Sequence, residues 1–288
     1  MEEGNWILAT VIRAVALGTP ILWGTLGEIT AERSGVINLG VEGMMILGAL
    51  AAFVVAHLTG QPTAGLVVAA AVGGAAALLH AFISITLRAN QYVSGLALTM
   101  FGLGLAGLLG RGWEGRPLLD TLPEISALTY AGLGVAVVLW VVFYHTRWGI
   151  VLRSVGEMPA AADALGVNVA LVRYLAVAFG GVMAGAAGAF LSLAYRPAWT
   201  EGMTAGMGWI VIAIAIFAAW DPLRAVAGAL LFGALFHLSF RLQAWVAPEL
   251  LKMMPFAFTI LALAATAGGR RGLGAPEALG TPYVTGER

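Results

Sequence analysis

Cysteine is absent from this 288-residue chain, and charged residues are scarce. Without cysteine, the chain can form no disulfide bond, no thiolate nucleophile and no cysteine-ligated metal site. Charged residues make up 10% of the chain, whereas about 25% is usual in soluble domains. Lysine plus arginine equals aspartate plus glutamate, with 15 of each, so no basic field favours nucleic acid as a partner.

Motifs for catalysis are also missing. The chain has no G-x-x-x-x-G-K-[ST] loop, so we expect that it does not bind or hydrolyse ATP itself. No Ser/His/Asp grouping stands out, and the four histidines lack the spacing of metal ligands. We therefore expect a protein that is not an enzyme and has neither metal nor cofactor. The histidines are His57, His80, His145 and His237.

Apolar residues dominate the chain, with 60% hydrophobic residues and a mean hydropathy of +0.91. This composition predicts an all-α, polytopic integral membrane protein with about 8–10 transmembrane helices, some short or broken. We expect one transmembrane domain, residues 1–288. Residues 209–220 are too short to cross alone and predict a tilted or re-entrant piece. The hydrophobic segments are residues 6–26, 44–58, 66–87, 92–109, 128–145, 171–193, 209–220, 223–240 and 253–267.

The arginines predict the orientation, because cytoplasmic loops carry an excess of basic residues. If Arg147 and Arg153 are cytoplasmic, simple alternation gives that side the larger share and predicts an external amino terminus and a cytoplasmic carboxyl terminus. The arginines on the cytoplasmic side would also include Arg33, Arg88, Arg173, Arg224, Arg270 and Arg271. The other side would hold Arg111, Arg116, Arg196, Arg241 and Lys252.

Small residues recur at four-residue spacing, which allows helices in lipid to pack closely. The chain has 39 glycines. Gly181 and Gly185 form one such pair, and Gly73 and Ala77 form another. The pairs are compatible with packing within the chain or with a subunit interface, and spacing alone leaves both open.

One polar stretch, residues 27–45, interrupts the apolar pattern with five side chains: Glu28, Glu32, Arg33, Asn38 and Glu42. A charge at the bilayer centre costs about 2.5–3.5 kcal/mol, so these groups should not face lipid. In a helix, Asn38 and Glu42 would share a face, but glycines 35, 40 and 43 weaken a helix here. The pattern predicts a broken helix near membrane depth, as at many transport paths. A solvated cytoplasmic turn is the alternative.

A second polar stretch, about residues 146–169, contains the sequence MPAAADALG. Pro159 suits the first turn of a helix, alanines favour its body, and Gly166 suits the position beyond its end. We expect a helix of about two turns, which is too short to be stable without a docking surface. A partner protein could supply that surface, and a helix lying on lipid is the alternative.

The chain resembles the permease subunits of bacterial ABC importers, in the branched-chain amino-acid/simple-sugar family, and most closely its nucleoside and simple-sugar branch. ERSGVINLGVEGMM, residues 32–45, resembles the signature of that branch. The family pattern's Gly-Arg-Gly before Trp209 is replaced here by Gly-Met-Gly. Further similar blocks are residues 90–107 and 198–222, a segment at 155–169 that resembles the family's coupling segment, MMPFAFTILAL near the end, and PEALGTPY in the tail.

The resemblance implies a multi-pass permease of the bacterial inner membrane that forms half of a path. Its expected partners are a second permease subunit (a different chain), a cytoplasmic ABC ATPase, an extracytoplasmic substrate-binding lipoprotein and membrane lipid. Purine-type nucleosides are the leading substrates, with simple sugars next and branched-chain amino acids third. We expect the substrate path to include Asn38, Glu42, Asn90, Gln91, Tyr92 and Trp209. The residues expected to couple to the ATPase are Arg153, Gly156, Glu157, Pro159, Ala161, Asp163 and Gly166.

A self-powered secondary transporter is the alternative from another class. Coupling to protons or sodium requires ionisable groups inside the membrane, and Arg13 and Glu42 are the candidates. Uptake that depends on ATP separates the two classes.

Overall fold

A computed structural model describes residues 3–118, 120–123, 127–243, 245–247, 250, 253, 257, 260 and 275–284. Helices joined by turns and loops make up the described part, which also has one isolated β-bridge between Pro117 and Ala198. The helices are α1 (Glu3–Arg33), α2 (Val41–Thr59), α3 (Pro62–Ala81, continued by a π-helical turn at Phe82–Thr86), α4 (Gln91–Gly110), α5 (Ala127–His145), α6 (Arg147–Glu157), α7 (Pro159–Ala164), α8 (Val169–Phe190, continued by a π-helical turn at Leu191–Tyr195), α9 (Met207–Phe217) and α10 (Pro222–Leu242).

Within the described ranges, seven helices are long and apolar enough to cross a membrane: α1 to α5, α8 and α10. This confirms the prediction of an all-α, multi-pass membrane protein. Helix α9 has 11 residues and is only about 16 Å long, roughly half of the hydrocarbon thickness. The predicted segment at 253–267 falls largely outside the described residues.

The predicted end of the first span, residue 26, was wrong. Helix α1 continues through Glu28 and Glu32 to Arg33, and all three side chains are buried. Polar residues ended the predicted span because they are costly in lipid. Here they face protein, which removes that limit on the length of the helix.

Successive helices place the arginines unequally at the two ends of the bundle. One end of the bundle is called here the α7 end. Helix α1 ends there, α8 and α10 begin there, and α6 and α7 lie there. Among the described residues outside α1, this distribution follows the predicted alternation and indicates that the α7 end is cytoplasmic. The α7 end holds Arg88, Arg147, Arg153, Arg173 and Arg224 as well as Arg33, whereas Arg111, Arg116 and Arg196 lie at the opposite end.

Glycines bring α8 into backbone contact with its neighbours. A Cβ atom added at Gly185 would overlap the carbonyl oxygen of Ala69 in α3, and one added at Gly188 would overlap that of Met45 in α2. Gly181 packs against Gly73 in the same way. The small-residue pairs therefore serve packing within the chain, which is the first of the two readings of their spacing.

Residues 34–40 connect α1 to α2 without helical structure, and this stretch is called here the 34–40 segment. Gly35 has φ +90°, a conformation that ends α1. Residues with a Cβ rarely adopt it, so a glycine suits this position. The segment is buried except for Leu39, which is half-buried. Gly95, four residues into α4, packs against Leu39, so the segment runs from the α7 end into the bundle. The predicted broken helix is confirmed, and the solvated turn is not found.

Candidate functional site

The peptide groups of the 34–40 segment are hydrogen-bonded by side chains from four helices. Ile37 donates its N–H to Oε1 of Gln91 (2.8 Å), and its carbonyl oxygen lies 3.0 Å from Nε2 of His80. Asn38 donates its N–H to Oε1 of Glu28 (3.1 Å). A buried peptide group left without a partner would cost several kcal/mol at membrane depth. These polar side chains therefore stabilise the break in the helix.

Further bonds satisfy the two ends of the segment. Arg173 donates from Nε to the carbonyl oxygen of Ser34 (3.1 Å), and Thr99 donates its hydroxyl to that of Leu39 (2.8 Å). Gly40 donates its N–H to Oδ1 of Asn38 (3.0 Å). Asn38 is consequently outside any helix and shares no helical face with Glu42, as expected where the helix is broken. The glycines break the chain before α2 begins.

The bond to Ile37 also assigns the tautomer of His80. A carbonyl oxygen only accepts, so Nε2 must carry the proton. The other nitrogen, Nδ1, then accepts from the hydroxyl of Ser94 at 3.0 Å. His80 is fully buried and links α3, α4 and the 34–40 segment.

Glu42, in the first turn of α2, caps the amino end of α9. One carboxylate oxygen accepts from the hydroxyl of Thr204 and from the N–H of Gly206 (3.0 Å). The other accepts from the N–H of Gly208 (2.6 Å). An Ala at 208 would place its Cβ within 2.5–2.8 Å of Glu42, so the glycine permits this approach. The negative charge also faces the positive end of the α9 dipole.

Arg33 closes the other end of α9. It donates from Nε to the carbonyl oxygen of Trp220 (3.3 Å) and from Nη2 to that of Ala219 (3.3 Å). Both of these residues have positive φ, 54° and 52°, which turns their carbonyls out of the helix. The indole N–H of Trp220 donates to Glu32. Arg33 and Glu42, called here the α9 clamp, thus hold α9 at both of its ends. This helix is too short to cross the membrane.

Three of the six predicted path residues are buried in this network. Asn38, Glu42 and Gln91 are 0%, 4% and 1% exposed, and each bonds to backbone of the 34–40 segment or of α9. Their hydrogen bonds hold the 34–40 segment and the amino end of α9 in place. Direct contact of these residues with substrate stays a prediction.

The other three predicted path residues lie elsewhere. Asn90 is exposed and caps α4 by accepting the N–H of Val93 (3.1 Å). Tyr92 is 46% exposed and lies beside Gly280 of the carboxyl-terminal tail. Trp209 is half-buried in the first turn of α9. The structure does not bring the six residues together on one surface.

The short helix predicted in the second polar stretch is present as α7. Pro159 occupies its first turn, and Gly166, with φ +84°, follows its last turn. Gly166 and Val167 donate their N–H groups to the carbonyls of Asp163 (2.8 Å) and Ala162 (3.0 Å), which is a Schellman motif. Helix α7 has six residues, slightly fewer than the two turns predicted.

The surface around α7 is open on its outer side. Ala160, Ala161 and Ala164 are exposed, and Leu165 is 85% exposed. On the inner side Gly156, at the end of α6, packs against the carbonyl oxygen of Arg33. An exposed apolar face therefore lies one helix away from the start of the 34–40 segment. Arg153 packs over the ring of Tyr144 (5.4 Å).

Sequence reasoning missed several residues of this site. Arg173 was assigned only an orientation, and His80 was taken as one of four scattered histidines. Thr99, Thr204 and Trp220 were not singled out. The available signal was a polar side chain in the middle of an apolar run, as for His80 in α3 and Thr99 in α4. In lipid such a group needs a partner, although the sequence does not say which.

Comparison with known proteins gives a consistent picture. A sequence model of the family described as "Branched-chain amino acid transport system / permease component" matches residues 10–263. A putative glucose ABC transporter permease of Haloferax volcanii is 44% identical, over 80% of this chain and 76% of that protein. No solved structure matches the chain significantly.

Two relatives match over nearly their whole length. A guanosine ABC transporter permease of Bacillus subtilis is 32% identical, over 98% of both chains. A nucleoside ABC transporter permease of Lactococcus lactis is 31% identical, over 99% of both chains. The shared length includes the carboxyl-terminal tail, which lies beyond the region that the family model matches.

Proposed function

Because the chain belongs to the family of branched-chain amino acid transport system permease components, we propose that it forms half of the path of an ATP-driven nucleoside importer. Its place as a multi-pass ABC permease follows from that family and from the seven apolar helices of the described part. The substrate class rests on one observation: similarity to a guanosine and a nucleoside permease extends over 98–99% of each chain. Purine-type nucleosides are the favoured substrates.

A simple sugar is the second candidate. The glucose permease from Haloferax volcanii has the higher identity, 44%, although the match covers 76% of that protein. Sequence identity within a permease family reflects helix packing as well as substrate. The glycines of α8, for example, serve helix packing. The full-length match therefore carries more weight for the substrate than the higher identity does.

The geometry supports a path beside the α9 clamp. Helix α9 begins inside the bundle opposite Glu42, and half-helices whose ends lie at membrane depth are typical of transport sites. Trp209, in the first turn of α9, offers a ring for stacking against a nucleobase. Asn38 and Gln91 contribute by fixing the 34–40 segment, and Asn90 and Tyr92 stand at the cytoplasmic end of α4.

Three partners complete the proposed importer. A cytoplasmic ABC ATPase docks on the exposed face of α7 and hydrolyses the ATP, a second permease subunit forms the other half of the path, and an extracytoplasmic lipoprotein delivers substrate. A short helix held at its end by Gly166 suits a docking groove. The residues proposed to serve coupling are Arg153, Gly156, Glu157, Pro159, Ala161, Asp163 and Gly166.

The test is uptake by the importer reconstituted in proteoliposomes with labelled guanosine. We expect ATP-dependent uptake that unlabelled purine nucleosides inhibit and that glucose and leucine do not. Liposomes without ATP inside are the matched control. Inhibition by glucose alone would replace the nucleoside reading with the sugar reading. Proton- or sodium-driven uptake by this chain alone would replace both with a secondary transporter.

A further inference from the structure

We propose that residues 275–284, called here the tail strap, tie the coupling helix α7 to the 34–40 segment, so that movement of α7 reaches the interior of the bundle. The inference rests on the proposed function in one respect, namely that an ATPase docks on α7. The tail strap is the part of the chain that contains PEALGTPY. It comes after residues 261–274, which lie outside the described part of the chain.

The first half of the connection joins the tail strap to α6 and α7. Ala278 donates its N–H to the carbonyl oxygen of Gly156 (2.9 Å), and Glu277 donates its N–H to the carboxylate of Glu157 (3.2 Å). Tyr283 donates its hydroxyl to Oδ2 of Asp163 (2.8 Å). Hydrogen bonds therefore join the tail strap to the end of α6 through Glu277 and Ala278, and to α7 through Tyr283.

Apolar packing reinforces that half. The ring of Tyr283 packs against a small cluster of buried side chains, Val155 of α6, Ala162 of α7 and Val169 of α8. Its hydroxyl has a pKa raised by burial and by the neighbouring carboxylate of Asp163, so at neutral pH it remains a donor. Movement of α7 away from the bundle would break both the packing and the hydrogen bond.

The second half joins the tail strap to the 34–40 segment. Gly280 donates its N–H to the carbonyl oxygen of Gly35 (3.1 Å). Arg173 connects the two stretches, because its Nη1 donates to the carbonyl oxygen of Thr281 (3.2 Å) while its Nε donates to that of Ser34. Leu279 packs against the main core of the bundle.

Gly280 makes this second half specific. Its φ is +77°, and a Cβ there would lie 3.0 Å from the hydroxyl of Tyr92 and 3.1 Å from the side chain of Ile37. Ile37 is the residue whose peptide groups bond to His80 and Gln91. A displacement of the tail strap therefore acts on the residue at the centre of the 34–40 segment.

The first experiment measures release of the tail strap in the assembled importer. The chain has no cysteine, so Ala278→Cys provides a single thiol at a position that is 9% exposed. Tyr283→Phe removes one hydrogen bond, and we expect maleimide to label the thiol at position 278 roughly 2- to 12-fold faster in that background. Tyr174→Phe is the matched control, because it removes a hydroxyl bonded to Thr86 (2.5 Å) at the same end of the bundle.

The same thiol tests whether the tail strap moves in the transport cycle. We expect the labelling rate to differ between the ATP-bound and nucleotide-free importer, because α7 shifts with the ATPase. Equal rates in the two states, in a preparation that hydrolyses ATP, would overturn the proposal. This readout uses no transported substrate, so it is independent of whether the importer carries nucleosides.

The second experiment separates coupling from folding. Gly280→Val places a branched side chain at positive φ, which disfavours the bound tail strap roughly 5- to 150-fold. We expect ATP hydrolysis to continue while uptake per ATP falls severalfold. Gly115→Val is the matched control, since Gly115 also has positive φ (+72°) but a Cβ there would meet none of the described residues within 4 Å. If Gly280→Val does not assemble, Tyr283→Phe decides: uptake per ATP equal to that of Tyr174→Phe would refute the role.

Asp163 supplies a rescue test. Asp163→Asn keeps an oxygen that accepts from Tyr283, and Asp163→Ala does not. We expect the Asn variant to retain the slow labelling of the thiol at position 278 and the Ala variant to match Tyr283→Phe. Fast labelling in both variants would show that charge, and not this hydrogen bond, holds the tail strap, and would contradict the assignment.

Discussion

Substitution of Glu42 should destabilise the protein before it affects any contact with substrate. The carboxylate accepts from Thr204, Gly206 and Gly208 and is 4% exposed. Glu42→Leu leaves three donors without an acceptor, two of them buried and that of Gly206 half-buried, at about 1–3 kcal/mol each. It also removes the charge at the amino end of α9, worth up to about 2 kcal/mol. A loss of about 3–11 kcal/mol is comparable with the whole stability of many proteins.

Glu42→Gln is the informative variant, because it keeps the shape of the side chain. Its amide oxygen can still accept, but its NH2 group must face a backbone or hydroxyl donor. One or two bonds and the charge are lost, so we expect a decrease of about 2–4 kcal/mol in the free energy of unfolding. Unfolding of the purified chain in mixed micelles with increasing dodecyl sulfate, followed by circular dichroism, measures this change. Glu114→Gln, at an exposed position, is the matched control.

The result that refutes this reasoning is a separation of stability from transport. If Glu42→Gln unfolds within about 0.5 kcal/mol of the unsubstituted protein and ATP-dependent uptake is nevertheless lost, Glu42 acts on substrate and not on α9. Equal loss of stability and uptake supports the α9 clamp. A further check is Gly208→Ala, which should produce a similar loss of stability without touching the carboxylate, because its Cβ would meet the backbone of Glu42.

Three other predictions follow from single contacts. Gly188→Ala should lower the free energy of unfolding by about 1–3 kcal/mol because its Cβ overlaps an α2 carbonyl, whereas Gly134→Ala, whose Cβ meets none of the described residues within 4 Å, should raise it by up to about 1 kcal/mol in the same micelle assay. His80→Ala should cost about 1–3 kcal/mol because the carbonyl of Ile37 loses its donor; a stability equal to that of the unsubstituted chain would contradict the assigned bond. Gly166→Val should strain the end of α7 by about 1–3 kcal/mol and weaken co-purification of the ATPase, and unchanged recovery of the ATPase would argue against docking there.

The break in the first helix could be predicted from the sequence because two independent costs coincide in it. Glycines at 35 and 40 weaken a helix, and the charges around them are expensive in lipid. Both costs are local, so a single sequence shows them. The end of α7 was predictable for the same reason, since Pro159 and Gly166 define a helix by backbone geometry alone.

The partners of the polar groups could not be predicted, because they are distant in sequence. The hydrogen bond from Gly208 to Glu42 joins residues 166 positions apart, and that from Trp220 to Glu32 joins residues 188 apart. The free-energy cost of an unpaired charge predicts that each charge has a partner, but it does not indicate where in the sequence that partner lies. The contact of the tail strap with Gly35 is hidden in the same way, since it involves only backbone atoms of two glycines and no distinctive side chain.

A polar residue within a span can bind a ligand or can satisfy the protein's own backbone, and unused hydrogen-bonding groups distinguish these roles better than polarity does. Both carboxylate oxygens of Glu42 are occupied, so binding substrate there would require breaking the cap of α9. Gln91 differs: its Oε1 accepts from Ile37, while its Nε2 has no hydrogen-bond partner among the described residues. Of the three buried path candidates, Gln91 therefore retains a donor that a ligand could engage without disturbing the 34–40 segment.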